Sequence, residues 1–166
     1  MIFISLNTDK YHKKYFRPFS FFNRKDFIKI LNSNYMDEII INFLQNQSVV
    51  TICCADEDGN PYCFPCFFAF NSKQGLLYFK TSSSSYHSLL LAKKPEIAGT
   101  ILPDKLNILA LKGIQFEGIV LPPDHFLIQN SSKYYYRKYP LALIIPGEIY
   151  AIELTGIKMT DGAKGF

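Results

Sequence analysis

Tryptophan is absent from this chain of 166 residues, and histidine occurs only three times. No apolar run reaches the roughly 20 residues that span a bilayer, and the opening "MIFISLN" is too short for the apolar core of a secretory signal. These absences argue against a membrane-spanning protein and predict a soluble, cytoplasmic one. The 15 Phe and 11 Tyr favour a β-rich interior, where flat rings pack across strands.

The common catalytic patterns are also missing. The sequence contains no Walker loop, no dinucleotide-type glycine fingerprint and no His-Glu-x-x-His helix. None of the three histidines, His12, His87 and His125, has the sequence-local partners that would mark a catalytic triad. Any chemistry is therefore expected to come from a cofactor.

Positive charge is concentrated near the N-terminus. Residues 1–33 contain seven Lys or Arg against two Asp, whereas the remainder has 11 basic and 12 acidic residues. The same segment contains "YFRPFSFF", and basic residues interleaved with aromatics suit nucleic acid binding. We favour an N-terminal extension, residues 1–33, that packs on a domain formed by residues 34–166, because charge runs are usually only solvated. Nucleic acid binding is the minor alternative.

The four cysteines include a Cys-x-x-Cys pair, a spacing that suggests zinc or redox chemistry. The surrounding "PYCFPCFFAF" reads as a strand, in which positions three apart face opposite sides, and no second ligand pair is present. We therefore predict no metal site and four free thiols. If Asp58 and Gly59 form the centre of the hairpin turn, Cys54 lies opposite Cys63. The cysteines are Cys53, Cys54, Cys63 and Cys66.

Hydrophobic periodicity predicts an α+β domain built on a small antiparallel barrel with flanking helices. Pro95 should end the second helix, Gly113 and Gly118 are candidate bulges, and the last strand should break near Gly156. The predicted helices cover 34–46, about 85–93 and, as one or two short pieces, 122–140. The predicted strands cover 48–55, 61–70, 75–81, 96–102, 107–121 and 147–161.

The stretch "FKTSSSSYHSLLLAKKP", residues 79–95, places four serines at a predicted helix start. The free backbone N–H groups and partial positive charge of a helix start favour an anion. Lys80 and a protonated His87 would add formal charge there. Serine is also a common helix N-cap, so a capped, solvated loop is the alternative to a phosphate site.

Several short motifs resemble one known family over residues 34–166. They are "DGNP", "YFKT", "AGTI", "GIQFEG", "YYRKYP" and "IKMTDGAKGF". The chain resembles the pyridoxamine 5′-phosphate oxidase-like FMN-binding split barrels, and within them it looks most like the YhbP-type bacterial proteins. The resemblance implies a split β-barrel of Greek-key type, non-covalent FMN, and a homodimer that binds flavin in two clefts between subunits. It also implies a short basic stretch beyond Phe166.

The resemblance also implies which residues bind the cofactor. Thr81 and Ser85 are identical to family residues that bind the FMN phosphate, while His87 replaces a lysine and Tyr86 an arginine. On the third predicted strand, flavin-binding members have a Phe-Tyr-Thr, which aligns with Phe79, Lys80 and Thr81 of this chain.

Other implied contacts lie on the second and fifth predicted strands. Cys66, Phe67 and Phe68 would flank the isoalloxazine ring, and Gln115 would approach it, although plain packing accounts for each of them equally well. Two basic residues of the oxidase pattern are replaced by Phe64 and Ala69. The oxidase's C-terminal Trp and Arg region has no match, which argues against pyridoxamine phosphate as substrate.

The resulting hypothesis is an FMN-dependent oxidoreductase that acts on an unknown small molecule. One alternative is a barrel that binds haem or a deazaflavin. The other is a non-catalytic barrel that has lost its cofactor.

Overall fold

The computed structural model describes residues 2–5, 36–107 and 111–162. The α-helices are α1 (Glu38–Asn46), α2 (Tyr86–Lys93) and α3 (Ser131–Lys138), and short 3-10 helices span Phe126–Ile128 and Pro140–Ile144. The strands are β1 (Ile2–Ser5), β2 (Val49–Ala55), β3 (Pro61–Asn71), β4 (Leu76–Thr81), β5 (Glu96–Ile101), β6 (Lys112–Val120) and β7 (Glu148–Asp161). Every helix within these ranges falls short of the length and apolarity that crossing a membrane requires.

Six antiparallel strands form a closed barrel. Their order is β7-β4-β3-β2-β5-β6, and β6 pairs back onto β7. Strand β7 closes the barrel because it pairs with β4 over residues 148–153 and with β6 over residues 152–161. Strand β1 pairs with the second half of β7, Ile2 lying opposite Met159. The predicted α+β barrel is confirmed.

Side-chain alternation along the strands fills the barrel with apolar residues. On β2, for example, Val50, Ile52 and Cys54 are buried in the core, whereas their neighbours are partly exposed. Helix α1 contributes Ile40 and Leu44 at one end of the barrel, and α2 contributes Leu90 and Leu91 at the other. These two helices thus lie at opposite ends of the barrel.

Helix α3 covers the outer face of β3, β4 and β7. A second apolar cluster lies there, in which Tyr135 of α3 packs with Tyr78 of β4 and Ala151 of β7. The next residues anchor the helix to the turn between α1 and β2. Lys138 donates to the Gln47 carbonyl, and the Tyr139 hydroxyl lies 3.0 and 2.9 Å from the carbonyl oxygens of Ser48 and Phe68. The "YYRKYP" motif therefore joins α3 to the barrel.

The predicted hairpin register is wrong by one residue. Residues 56–60 form a five-residue loop, because the Asp56 carboxylate accepts hydrogen bonds from the backbone and side-chain amides of Asn60 at 2.8 and 2.9 Å. Cys53, and not Cys54, therefore lies opposite Cys63. These two cysteines form a disulfide across the strands, which corrects the prediction of four free thiols. Cys54 and Cys66 are free.

The last strand also differs from its prediction. Strand β7 runs without a break past Gly156, and the irregularity lies in its pairing, which shifts between Glu117 and Gly118 of β6. Glu117 lies opposite Gly156 and Gly118 opposite Leu154, so the extra residue is Thr155 of β7. The bulge is therefore in β7 beside Gly156, across from Gly118, whereas the pairing is regular at Gly113. The division at residue 33, and any nucleic acid contact by residues 6–33, stay predictions because residues 6–35 lie outside the described ranges.

Gly99 is predicted to be irreplaceable in the barrel wall. A Cβ at this position would lie 2.3 Å from the nearest Phe116 ring atom and 2.6 Å from the Thr51 carbonyl oxygen. We expect Gly99→Ala to lower the free energy of unfolding by about 1–3 kcal/mol, the usual cost of overpacking. Urea denaturation monitored by circular dichroism measures this.

Gly156→Ala is the matched control, because its Cβ would meet its nearest neighbour, the Glu117 side chain, at an ordinary 3.6 Å. Equal stability losses in the two variants would contradict the packing described here.

Candidate functional site

The end of β4 and the start of α2 bring three polar side chains together. The Thr81 Oγ1 atom lies 2.6 Å from His87 Nε2 and 3.3 Å from Ser85 Oγ. All three residues are half-buried. We call Thr81, Ser85 and His87 the hydroxyl–imidazole cluster. It unites three of the residues predicted to bind FMN.

Ser85 is the N-cap of α2, as one serine of the stretch was expected to be. Its hydroxyl accepts from the Ser88 backbone N–H at 3.3 Å and lies 2.8 Å from the Ser88 hydroxyl, which in turn donates to the Ser82 carbonyl. Ser82, Ser83 and Ser84 are exposed. The stretch is therefore both a capped helix start and a group of hydroxyls open to solvent.

The imidazole of His87 is fixed from two sides. Its ring stacks on Phe64 of β3 with 3.8 Å between ring centroids and an interplanar angle of 13°, and its Nε2 contacts Thr81. Burial lowers the pKa of His87 below its ordinary value, because desolvation disfavours the charged ring. The neutral imidazole is thus the dominant form near neutral pH.

Aromatic rings surround the cluster at this end of the barrel. Tyr62 meets Tyr86 edge to face at 5.1 Å, and Phe79 stacks on Tyr150 at 5.3 Å. Tyr62 and Tyr86 are 37% and 54% exposed, so their rings are accessible to a ligand. A flat apolar ligand would find both polar donors and aromatic surface here.

Phe64 and Ala69, which stand where the oxidase pattern has basic residues, have different surroundings. Phe64 faces the barrel interior and occupies the space beside His87. Ala69 faces outward and is buried under α3. The ring at position 64 therefore replaces charge directly beside the cluster, whereas position 69 lies on the other side of the wall.

Two further predicted site residues are not part of the cluster. Lys80 points outward, where its ammonium donates to the carbonyls of Ala142 and Ile145 at 2.7 and 2.6 Å and lies over the Tyr136 ring. Phe79 points inward and its side chain is fully buried. Strand alternation separates Lys80 from Thr81, so the lysine does not replace the missing arginines.

The remaining predicted contacts divide between the two faces of the barrel wall. Cys66 points inward, and burial raises the pKa of its thiol to about 12, which leaves it protonated. Phe67 points outward and is 57% exposed. Gln115 on β6 is also exposed on the outer face. These outward residues lie on the opposite side of the wall from Thr81.

Within the described ranges, no three His, Cys, Asp or Glu side chains are grouped so as to bind a metal ion. Cys63 is exposed and Cys66 half-buried on opposite faces of β3, which confirms that the Cys-x-x-Cys pair does not converge. An open pocket of about 420 Å³ beside α3 is lined by residues that include Asp124, His125 and Glu148, and the cluster residues are not among them.

The sequence is similar to several bacterial proteins. A UPF0306 protein of Photorhabdus laumondii is 32% identical over 136 residues, which cover 82% of this chain and 94% of the relative. A UPF0306 protein of Yersinia pseudotuberculosis is 33% identical over 135 residues, covering 81% and 91%. The chain belongs to the UPF0306 family. No protein-family model matches it.

Several solved proteins have the same fold as this chain. An FAD-binding protein from Mesorhizobium loti has a TM-score of 0.61 at 14% identity, covering 77% of this chain and 96% of that protein. The haem storage protein HutZ from Vibrio cholerae gives 0.60 at 15%, covering 76% and 94%. A putative pyridoxamine 5′-phosphate oxidase from Listeria innocua gives 0.57 at 13%, covering 74% and 95%. At these identities the likeness shows the fold.

Sequence reasoning missed two neighbours of the cluster in this UPF0306 protein. Phe64 was identified only as a lost arginine, and Tyr62 was not identified at all. Both residues belong to β3 and lie more than 20 positions before His87 in the chain, so no local motif connects them with His87. The one available signal was the aromatic content of "PYCFPCFF", which the strand pattern already explained.

The neutral state of the half-buried His87 predicts a specific pH dependence of stability. Because its pKa is lowered in the folded state, the wild type should lose stability as pH falls below about 6.5, where the unfolded chain becomes protonated. Replacing His87 with Gln should remove this part of the dependence. Urea denaturation at about pH 7.5 and about pH 5.5 measures it.

The difference in unfolding free energy between wild type and variant is the quantity to compare, because other groups titrate equally in both proteins. A difference that does not change with pH, or one that favours the wild type more strongly at acid pH, would contradict a neutral, half-buried imidazole.

Proposed function

We propose that this protein binds FMN non-covalently at the hydroxyl–imidazole cluster and uses it to oxidise or reduce a small molecule. The observation that carries the proposal is the convergence of Thr81, Ser85 and His87 at the start of α2 on a split-barrel fold. Relatives of that fold include an FAD-binding protein and a putative pyridoxamine 5′-phosphate oxidase.

The donor set of the site suits a phosphate group. The hydroxyls of Thr81 and Ser85, the exposed hydroxyls of Ser82 and Ser84, and the first N–H groups of α2 can all donate to phosphate oxygens. His87 adds a ring nitrogen. Lys80, which was predicted to add positive charge, donates to the Ala142 and Ile145 carbonyls instead. Phosphate binding would therefore depend mainly on hydrogen bonds.

The aromatic surface suits the flat ring system of a flavin. Tyr62 and Tyr86 are exposed beside the cluster. Phe64 and Phe79 are buried nearby, and their ring centroids lie 6.1 Å from each other. Apolar rings exclude water and favour a stacked ligand. Bound FMN would supply hydride transfer at its N5 atom, while this chain's residues bind the phosphate, orient the ring and exclude water.

We propose that the active form is a homodimer with one cleft for each subunit. Phe67 and Val49 are exposed directly opposite each other on the outer face of β3 and β2. Because one barrel wall separates them from Thr81, Phe67 and Gln115 could contact only a flavin that is bound by a second subunit. Dimerisation through this face would bury its apolar side chains.

FMN titration of the full chain tests the binding proposal. We expect FMN fluorescence to be quenched on binding, and the affinity to fall at least about tenfold in Thr81→Val and in Ser85→Ala, since a hydrogen bond to a charged group is worth about 1.5–3 kcal/mol. Ser83→Ala, an exposed serine of the same stretch, is the matched control and should bind like the wild type.

If the wild type does not quench FMN fluorescence, the binding proposal is wrong. Equal losses in Thr81→Val and Ser83→Ala would place the ligand elsewhere. Thermal denaturation of each variant separates loss of binding from loss of fold.

Haem is the second candidate ligand. It is favoured by two observations. Lys80 is bound on the outer face of β4, so it adds no cation for a phosphate at the cluster, and a haem-storage protein is among the structures of the same fold. The visible spectrum of the purified protein distinguishes the candidates, because haem gives an intense Soret band that flavin lacks. A colourless protein that takes up neither ligand would instead support a barrel without a cofactor.

The oligomeric state tests the proposed dimer. We expect Phe67→Glu to convert a dimer into a monomer in analytical ultracentrifugation and to weaken FMN binding, because a charge would be buried at the interface. Phe126→Glu is the control, since Phe126 is 69% exposed on a different element and should not alter assembly. A wild-type monomer that binds FMN would contradict the shared cleft.

A further inference from the structure

Among the residues that the structure describes, the lysines on β4, on α2 and directly after α2 are already bound. Lys80 donates to two carbonyls on the outer face of β4. Lys93, at the far end of α2, pairs with Glu57 at 2.8 Å. Lys94 donates to the carbonyls of Asp56 and Glu57 at 2.5 and 2.9 Å. None of these ammonium groups is directed at Thr81.

The other ionisable groups on the elements around the cluster do not supply a cation either. Strand register places Glu148 of β7 beside Thr81, and this exposed carboxylate would repel an anion. The carboxylates Asp56 and Glu57 lie in the hairpin, where hydrogen bonds from Asn60 and Lys93, respectively, lower their pKa values. The phenols on these elements belong to Tyr62, Tyr86 and Tyr150, and a phenol carries no positive charge in either protonation state.

His87 is therefore the one group of this set that gains positive charge between about pH 5 and pH 8. Its position is suitable, because Nε2 lies 2.6 Å from the Thr81 hydroxyl. The partial burial of the imidazole, whose ring stacks on Phe64, opposes that charge. An anion placed against the ring would favour it.

When the neutral ring carries its proton on Nδ1, the contact between Thr81 and His87 makes protonation change two groups at once. A threonine hydroxyl has one proton to donate. When neutral Nε2 accepts that proton in a hydrogen bond, the hydroxyl has none left for a ligand. When Nε2 is protonated, it donates to Thr81 Oγ1, and the hydroxyl proton becomes free to point at an anion.

From this geometry we infer that FMN binds together with one proton, which His87 takes up, so that the site selects its anionic ligand according to pH. The inference rests on the proposed function. In place of fixed cations, the site would use a switchable charge, and it would release a phosphorylated ligand as the pH rises.

The direction follows from the ionisation states. Above about pH 7 both the free imidazole and the free phosphate, whose second pKa is about 6, have lost their protons. A complex that contains one added proton then loses up to about tenfold in affinity for each unit of rising pH. Riboflavin has the same ring system but no phosphate, so its affinity should stay nearly constant over this range.

The experiment is a fluorescence-quenching titration of the full chain with FMN and with riboflavin at about pH 7 and about pH 8. We expect FMN affinity to fall by up to about tenfold between them, and riboflavin affinity to change less than about twofold. His87→Lys provides a permanent charge and should bind FMN tightly with no such slope. His87→Gln should bind FMN weakly, also without the slope.

The possible outcomes separate this inference from the proposed function. FMN binding that is equally strong at both pH values, or that merely equals riboflavin binding, would overturn the inference and leave flavin binding intact. If neither the wild type nor His87→Lys binds either flavin, the proposed function fails and the inference with it. The imidazole C–H resonances of the wild type give a second readout that needs no variant, since inorganic phosphate or FMN should raise the pKa of His87.

Discussion

The double pairing of β7 is the constraint on which the rest of the structure depends. Its first half hydrogen bonds to β4 and its second half to β6, so the sheet closes and each strand has a fixed inner and outer face. Closure sets the point at which β4 ends, and Thr81 is its last residue. Helix α2 starts after the four serines that follow Thr81, which brings Ser85 and His87 to the Thr81 hydroxyl.

The same closure explains why charge is scarce at the site. An inward position beside a helix-closed barrel end favours apolar side chains, and Phe64 occupies the position beside His87 where a basic residue would serve an anion. The outward lysine of β4 instead stabilises the segment after α3 by binding two of its carbonyls. Among the described residues of the site, hydroxyls and one titratable imidazole remain, and we propose that these set both the strength and the pH range of anion binding.

Local patterns predicted the elements well and their long-range pairing less well. Alternation and capping identified strands β2 to β7, the helix after Ser85 and its end before Pro95, because these depend on neighbouring residues. Strand β1 was not predicted. The Cys53–Cys63 pairing was missed because side-chain bonds between Asp56 and Asn60 set the loop length. Alternation alone could have shown that Lys80 and Thr81 face apart. The Phe64–His87 stack depends on how β3 meets α2, which no local pattern encodes.

Amide chemical-shift mapping tests the central claim most directly. FMN is added to the ¹⁵N-labelled full chain, and the backbone resonances are followed residue by residue. Binding at the hydroxyl–imidazole cluster predicts that the largest shifts occur from Thr81 to Ser88, with riboflavin perturbing the first turn of α2 much less. Shifts confined to another part of the barrel, or no shifts at all, would contradict a phosphate site at the start of α2.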